Sequence, residues 1–277
     1  MTDDMANEAP RETLIGEGPV LLDLAGGVAH LRLNRPEASN GVSIALLKAL
    51  HEAVMACHGN PAIRVVVLAG EGPNFCAGGD VREFASKGEA LPDFLRQATS
   101  YLQIAAAALM RLEAPVIARV QGFAAGGAGL GLVCAADLVV AADTARFMAG
   151  ATRVGMAPDA GVSVTLQRLV GFRRAAEILF TNRIVGADEA LAIGLVSHVV
   201  PEAELDGRTL ALARELAAGA PRALAATKRL LWNGVGLGVE ACLPEEARTV
   251  SELSGTADAR EGLAAVIGRR PPLFTGR

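Results

Sequence analysis

Lysine, paired cysteines and long apolar runs are all scarce in this sequence. Its most apolar stretch, residues 122–136, is rich in glycine and ends at Asp137, whereas a membrane span needs about 20 consecutive apolar residues. The N-terminus is acidic and has no apolar segment behind a basic start, so no secretory signal is predicted. The four cysteines form no CxxC pair and the four histidines no HExxH motif, which argues against disulfides and a zinc site. We therefore expect a cytoplasmic protein with no metal and no membrane contact.

Composition indicates a folded chain with a sizeable core. The 277 residues are 51% hydrophobic and 20% charged, and a disordered chain would be poorer in apolar residues. The net charge is −4, and only three of the 26 basic residues are lysines. No strongly basic patch stands out, so nucleic acid is not an expected partner.

Strand and helix patterns alternate along most of the chain. Apolar runs at residues 64–69, 116–120 and 138–142 are typical of strands buried on both faces, and helical patterns lie between them. This alternation predicts an α/β fold with parallel strands. After residue 204 helical patterns dominate. We therefore divide the chain into a loose tail (1–12), a core (13–204) and a C-terminal helical oligomerisation region (205–277).

Two glycine-rich segments, residues 75–81 and 121–131, each lie between strand and helix patterns. Glycine at such places lets the backbone approach a ligand and direct N–H groups at it. One N–H from each segment could converge on a single oxygen and form an oxyanion hole. Turns and tight helix packing are the alternative interpretation. A dinucleotide-binding site, in which Asp143 would bind the ribose, is not favoured because the segment lacks a clean GxGxxG motif. A phosphate-binding loop is excluded because no GxxxxGK[ST] motif occurs.

Six short motifs follow one another in a specific order. They are Asn-Arg-Pro-Glu-Ala-Ser-Asn (34–40), Phe-Cys-Ala-Gly-Gly-Asp (75–80), Ala-Pro-Val-Ile-Ala (114–118), Ala-Asp-Leu-Val-Val-Ala-Ala (136–142), Ala-Arg-Phe (145–147) and Gly-Met-Ala-Pro-Asp-Ala-Gly (155–161). As an ordered set they resemble the crotonase (enoyl-CoA hydratase/isomerase) superfamily, from about Val20 to the C-terminus. The resemblance implies a ββα superhelical core with a C-terminal helical trimerisation region. It also implies an acyl-CoA thioester substrate, of which coenzyme A is part, with no separate cofactor, and a homotrimer or a dimer of trimers.

The resemblance also assigns site residues. The first oxyanion donor is the Gly79 N–H. This glycine cluster has one residue more than the family pattern. The second donor is therefore the N–H of Gly127 when the motif is aligned from Gly122, or that of Ala128 when it is aligned back from Asp137. Contacts to coenzyme A are expected from the same three residues and from four more, Ala38, Ser39, Ala77 and Val81.

The chain departs from the family where hydratases carry two glutamates. The first of these positions holds Leu130 or Gly131, and the second holds Ala151. None of these side chains can carry a proton, so a standard two-glutamate hydratase is not expected.

One acid remains at a position that the resemblance marks, Asp159. The isomerases of phenylacetate degradation are similar to this chain at that position, where they also carry an Asp, and in residues 257–262 and 272–276. A double-bond shift needs one group that removes a proton and returns it elsewhere, so we predict an enoyl-CoA isomerase that moves a 3-ene to a 2-ene or rearranges a ring thioester. A hydratase with atypical residues and a non-catalytic acyl-CoA-binding relative are the alternatives. Pro-Asp-x-Gly is also an ordinary turn signature, which is the structural alternative for Asp159.

Overall fold

The structure is a computed structural model that describes residues 10–277. Its main sheet has seven strands in the order β1-β2-β3-β4-β5-β7-β10, and a small second sheet has the order β6-β8-β9. The strands are β1 Glu12–Ile15, β2 Val20–Ala25, β3 Val28–Leu33, β4 Val65–Gly70, β5 Val116–Val120, β6 Phe123–Ala125, β7 Leu138–Ala142, β8 Arg146–Met148, β9 Val185–Gly186 and β10 His198–Val200.

Helices cover both faces of the main sheet. They are α1 Ile44–Gly59, α2 Val81–Ser86, α3 Leu91–Arg111, α4 Gly126–Ala135, α5 Val162–Val170, α6 Phe172–Thr181, α7 Ala187–Ala192, α8 Leu205–Ala217, α9 Pro221–Gly234, α10 Val239–Ser254 and α11 Ala257–Gly268. Within residues 10–277, no helix is both long and apolar enough to cross a membrane.

The sheet is parallel from β3 through β10, and the hairpin β2–β3 is antiparallel, as is the pairing of β1 with β2. Every residue of β4 is buried, because α1 and α3 pack on one face of the sheet and α8 on the other. The predicted α/β class with parallel strands is therefore confirmed. Ser43 caps α1, since its hydroxyl accepts a hydrogen bond from the Leu46 N–H at 3.2 Å.

The C-terminal region is attached to the core through a buried charge. Lys228 of α9 lies 2.7 Å from Asp137, at the end of α4, and also donates to two backbone carbonyls of the core. The indole of Trp232 donates to the other Asp137 oxygen at 2.7 Å. Removing one partner of a buried ion pair leaves the other uncompensated, at a cost of about 3–5 kcal/mol. This cluster therefore fixes α9 against the sheet.

Several elements lie outside the sequence-based prediction. Most of the predicted loose tail, residues 1–9, lies outside the described residues, but its last residue, Glu12, already belongs to β1. This strand is held by Arg11 and Thr13, which both bind the buried carboxylate of Asp23. The pair α5 and α6 was not predicted either.

Candidate active site

Backbone pairing brings the two glycine segments side by side. Cys76 donates its N–H to the Phe123 carbonyl at 3.0 Å and accepts from the Ala125 N–H at 2.8 Å. Gly78 and Gly126 then face each other with positive φ angles of 93° and 66°, a conformation that favours glycine. A Cβ on Gly126 would stand 2.9 Å from the Gly78 Cα and 3.5 Å from the Gly79 nitrogen. The Gly79 amide is therefore next to the first residue of α4.

Unpaired N–H groups meet at this junction. Among residues 10–277, no acceptor binds the Gly79 N–H. The first turn of any helix leaves its N–H groups without helical partners, and Ala125, which precedes α4, offers no side-chain cap. Gly127 is half-buried, whereas Ala128 is only 2% exposed. The junction can therefore bind an oxygen that carries negative charge.

A cavity of about 590 Å³ opens in front of these donors. Its wall is apolar, apart from the backbone donors, Thr99 and two ionisable side chains, Asp159 and Arg153. The apolar wall comes mainly from α1–α3, the two glycine segments and the segment after β8. It consists of Val42, Leu47, Ala77, Val81, Phe84, Ala85, Leu91, Leu95, Ala98, Leu102, Ala128, Met148, Ala151, Val154, Met156 and Ala157. A larger cavity of about 830 Å³ between α3, α5, α9 and α10 contains neither glycine segment.

Asp159 belongs both to a turn and to the cavity wall. The turn continues through Ala160 and Gly161, with φ angles of 51° and 81°, and the Val162 N–H closes it by donating to the Asp159 carbonyl at 3.0 Å. Burial raises the pKa of the Asp159 carboxyl above its ordinary value, and the residue's own N–H opposes this weakly. A carboxyl whose pKa is raised in this way is better matched to proton transfer near neutral pH.

The Asp159 carboxylate lies directly against Gly127. A Cβ built on Gly127 would overlap Asp159 Oδ1 and stand 2.5 Å from Cγ. The structure therefore brings together the predicted acid and two predicted oxyanion donors, Gly79 and Gly127, in one cavity.

The positions of the two missing glutamates differ in the structure. Ala151 lines the cavity, so an acidic side chain there would reach the site. Leu130 is 1% exposed and packs in the core, and a Cβ on Gly131 would stand 2.5 Å from the Ala160 Cβ. Neither of these last two contributes to the cavity wall.

The predicted coenzyme A contacts fall into two groups. Ala77, Val81 and Ala128 line the cavity together with the oxyanion glycines, whereas Ala38 and Ser39 do not. Ser39 lies behind the first glycine segment, where its carbonyl accepts from the Ala77 N–H at 2.9 Å. Its contact with coenzyme A stays a prediction.

Phe84 and Arg153 are two of the cavity-wall residues that sequence reasoning missed. The Phe84 ring covers Gly79, since a Cβ built on Gly79 would lie 2.5 Å from Cε2 of Phe84. The phenylalanine of α2 carries no distinguishing sequence signal. Arg153 could have been found, because it lies two residues after Ala151, which the resemblance had already marked.

Among the described residues, no group of three or more His, Cys, Asp or Glu side chains is placed to hold a metal ion. The polar groups of the cavity wall, within the described part of the chain, are one carboxylate, one guanidinium, the Thr99 hydroxyl and backbone N–H donors.

Comparison with known proteins points to one family. A family model described as enoyl-CoA hydratase/isomerase matches residues 23–277. A Rhodobacter capsulatus protein named "Probable enoyl-CoA hydratase" is 38% identical over 255 residues, which cover 92% of this chain and 97% of that protein. A 4-chlorobenzoyl coenzyme A dehalogenase from Arthrobacter is 36% identical over 239 residues, 86% of each chain.

A solved structure agrees with the sequence comparisons. The crystal structure of an enoyl-CoA hydratase from Bacillus anthracis superposes with a TM-score of 0.89 at 32% identity. The superposition covers 94% of this chain and all of the other.

Proposed function

The chain belongs to the enoyl-CoA hydratase/isomerase family of the crotonase superfamily and has its fold, and on that premise we propose that it is an enoyl-CoA isomerase whose single acid–base group is Asp159. The substrate is a 3-enoyl thioester of coenzyme A, and the product is the 2-enoyl thioester. The supporting observation is the position of Asp159 beside the free N–H donors, where it is the one carboxylate among the described residues of the cavity wall.

The backbone donors hold the thioester oxygen. When a proton leaves C2, negative charge moves onto that oxygen, and the Gly79 and Gly127 N–H groups stabilise it. Each such donor typically contributes 10²–10³ to the rate. We favour Gly127 over Ala128 as the second donor because Gly127 is less buried than Ala128 and faces Asp159.

The Asp159 carboxylate performs both proton transfers. It takes a proton from C2 of the 3-ene, and the electron pair of that C–H bond forms the C1–C2 double bond of a dienolate while the carbonyl π pair moves onto the oxygen. The carboxylic acid then delivers the proton to C4. The thioester carbonyl re-forms, the C1–C2 double bond shifts to C2–C3, and the electron pair of the C3–C4 double bond makes the new C–H bond. Atoms and charge balance with no water and no second acid.

Hydration places more demands on the site than isomerisation. It needs one group to activate water and another to protonate C2, and two glutamates do this work in the hydratases that the chain resembles. Here Ala151 replaces one of them, and neither Leu130 nor Gly131 replaces the other within the cavity. A hydratase with atypical residues is therefore the second candidate, and a non-catalytic acyl-CoA binder the third.

Halide displacement, suggested by the name of the Arthrobacter relative, is less well supported. A carboxylate could attack the halogen-bearing ring carbon of a halobenzoyl thioester and expel the halide, which leaves an aryl ester. Hydrolysis of that ester would need a base to activate water. Among the described residues that line the cavity, no histidine and no second carboxylate is present.

Separate incubations with a 3-enoyl-CoA and a 2-enoyl-CoA test the proposal. An isomerase converts the 3-ene to the 2-ene and adds no water to either. Formation of a 3-hydroxyacyl-CoA from the 2-ene would favour the hydratase, and binding without turnover would favour the non-catalytic relative. The likeness to the phenylacetate-pathway isomerases stays a prediction, which a ring thioester in the same assay would test.

A further inference from the structure

Ala160, the residue after Asp159, has a backbone conformation that alanine normally avoids. Its φ angle is 51°, which lies in the left-handed region, where the Cβ of an L-residue crowds the following carbonyl oxygen. Glycine adopts this conformation without that cost, as Gly161 does with a φ angle of 81°. Strained residues persist only where the surrounding structure holds them, and they are concentrated at functional sites. Contacts outside the turn must therefore hold Ala160 in place.

Gly131 is the opposite case. It lies inside α4, where glycine is less favourable than alanine, and its φ angle is not positive. A Cβ built on Gly131 would stand 2.5 Å from the Ala160 Cβ, so the Ala160 methyl group already occupies that space. Backbone preferences alone would place alanine at residue 131 and glycine at residue 160. The contact between the two residues explains both departures.

This contact lies one helical turn away from the contact between Gly127 and Asp159. Residues four positions apart lie on the same side of a helix, so Gly127 and Gly131 both face the turn. Asp159 Oδ1 lies against Gly127, and the Ala160 methyl lies against Gly131. Ala160 is only 6% exposed, and Gly131 is buried. A shift of Ala160 away from α4 would therefore also move the Asp159 carboxylate.

We propose that Ala160 and Gly131 are positioning residues, whose contact holds the Asp159 carboxylate against Gly127 and beside the N–H donors. This inference rests on the proposed function, in which Asp159 performs both proton transfers. The methyl group restricts the conformations of residue 160, of which glycine would have many more, and it leaves no gap in front of Gly131. A misplacement of about 1 Å can cost about 10²-fold in rate, so a contact outside the cavity can determine turnover.

Two single substitutions disturb the contact from opposite sides. Ala160→Gly removes the methyl group but also relieves the left-handed strain, so we expect kcat to fall about tenfold while the urea midpoint changes little. Gly131→Ala adds a methyl group for which there is no room, and it should lower kcat at least as much. Gly131 and Ala160 do not line the cavity, so the affinity for a saturated acyl-CoA should change little in either variant.

The double variant Gly131→Ala/Ala160→Gly moves the methyl group from the turn to the helix. The nearest remaining atoms would then be Val162 Cγ2 at 3.4 Å and the carbonyl oxygen of residue 160 at 3.6 Å, which are ordinary contact distances. We expect its kcat to exceed that of Gly131→Ala about tenfold, and its stability to exceed that of the wild type because both residues then follow backbone preference. The control Gly207→Ala adds a helical methyl group that meets no atom within 4 Å and should leave kcat unchanged.

A further pair of variants tests whether the contact acts through Asp159. In an Asp159→Asn background, Ala160→Gly should cause no additional loss of the residual rate. An additional loss of about tenfold there would overturn the inference, because the methyl group would then act on some other part of the site.

Three other results would also contradict the inference. They are a wild-type kcat in Ala160→Gly, a double variant no faster than Gly131→Ala, and an Ala160→Gly protein whose lower activity only follows a large loss of stability. If Asp159→Asn alone turns over at the wild-type rate, or if the wild type does not isomerise a 3-enoyl-CoA, the proposed function fails and the inference fails with it. A slow Asp159→Asn beside a fully active Ala160→Gly removes only the inference.

Discussion

The carboxylate of Asp159 occupies the space in front of the Gly127 Cα where any other residue would place its Cβ. The acid and the helix start that supplies an oxyanion donor are thus in direct contact. This contact explains why residue 127 is a glycine. The φ angle of Gly127 is not positive, so its backbone conformation alone would not require one.

Gly127→Ala should displace the Asp159 carboxylate, because the new methyl group would overlap Oδ1. The backbone N–H groups remain, so we expect isomerisation to fall by about 10²-fold or more, while binding of a saturated acyl-CoA is largely kept. Steady-state kinetics and calorimetry check this. The control is Gly207→Ala in α8, where a Cβ meets no atom within 4 Å. Wild-type turnover in a folded Gly127→Ala protein would refute the contact's role.

Gly79→Pro should remove one oxyanion donor, since proline has no N–H. The proline ring would also meet Phe84, so the change is best made in a Phe84→Ala background. Relative to Phe84→Ala alone, we expect turnover to fall by roughly 10²–10³. If both proteins fold and turn over equally, the donor has been misplaced.

Stability should depend on pH through Asp159. Burial raises its pKa, so the folded chain holds this proton more tightly than the unfolded chain does. The wild type therefore loses stability as the pH rises from the ordinary aspartate pKa through the raised one, and the loss persists at neutral pH. Asp159→Asn cannot ionise and should be more stable than the wild type at pH 7, by a margin that shrinks toward acid pH.

Urea unfolding at several pH values measures this margin. Asp188→Asn, at an exposed aspartate of α7, is the matched control for the loss of one aspartate charge. A margin that grows toward acid pH would mean that the folded state favours the charged carboxylate, contrary to its burial.

The C-terminal helices should mediate self-association. Val266 and Ile267 of α11 are 79% and 84% exposed, and exposed apolar clusters commonly mark interfaces. We expect light scattering at micromolar concentration to give the mass of a trimer or of two trimers. Val266→Lys with Ile267→Lys should lower it, and Glu215→Lys, which adds the same charge on an exposed site of α8, should not. The mass of one chain for the wild type would contradict the prediction.

Local sequence signals predicted those parts of the fold that depend on local patterns. The apolar runs of β4, β5 and β7 are such cases. Asp159 and Gly79 were predicted from the ordered motifs, not from any spacing of their own. In contrast, β1 depends on Arg11 and Thr13 binding Asp23 across the hairpin. The buried Lys228–Asp137 pair joins residues 91 positions apart, and no local sequence pattern predicts such a contact.

Phe84 and Arg153 show the same limit within the site. Both reach the cavity only because tertiary packing places α2 and the turn after β8 around the two glycine segments. A phenylalanine on a short helix has many other possible roles, so sequence alone could not select Phe84. For Arg153 the available signal was its place two residues after Ala151.

The most direct test of the account is the isomerisation of a 3-enoyl-CoA by Asp159→Asn, measured beside the binding of a saturated acyl-CoA. Asparagine keeps the shape of the side chain and removes its basicity. A positioned acid–base group typically contributes about 10²–10⁴-fold, so the rate should fall by that factor while the affinity barely changes. If Asp159→Asn isomerises the 3-ene at the wild-type rate, Asp159 is only a turn residue and the proposed mechanism is wrong.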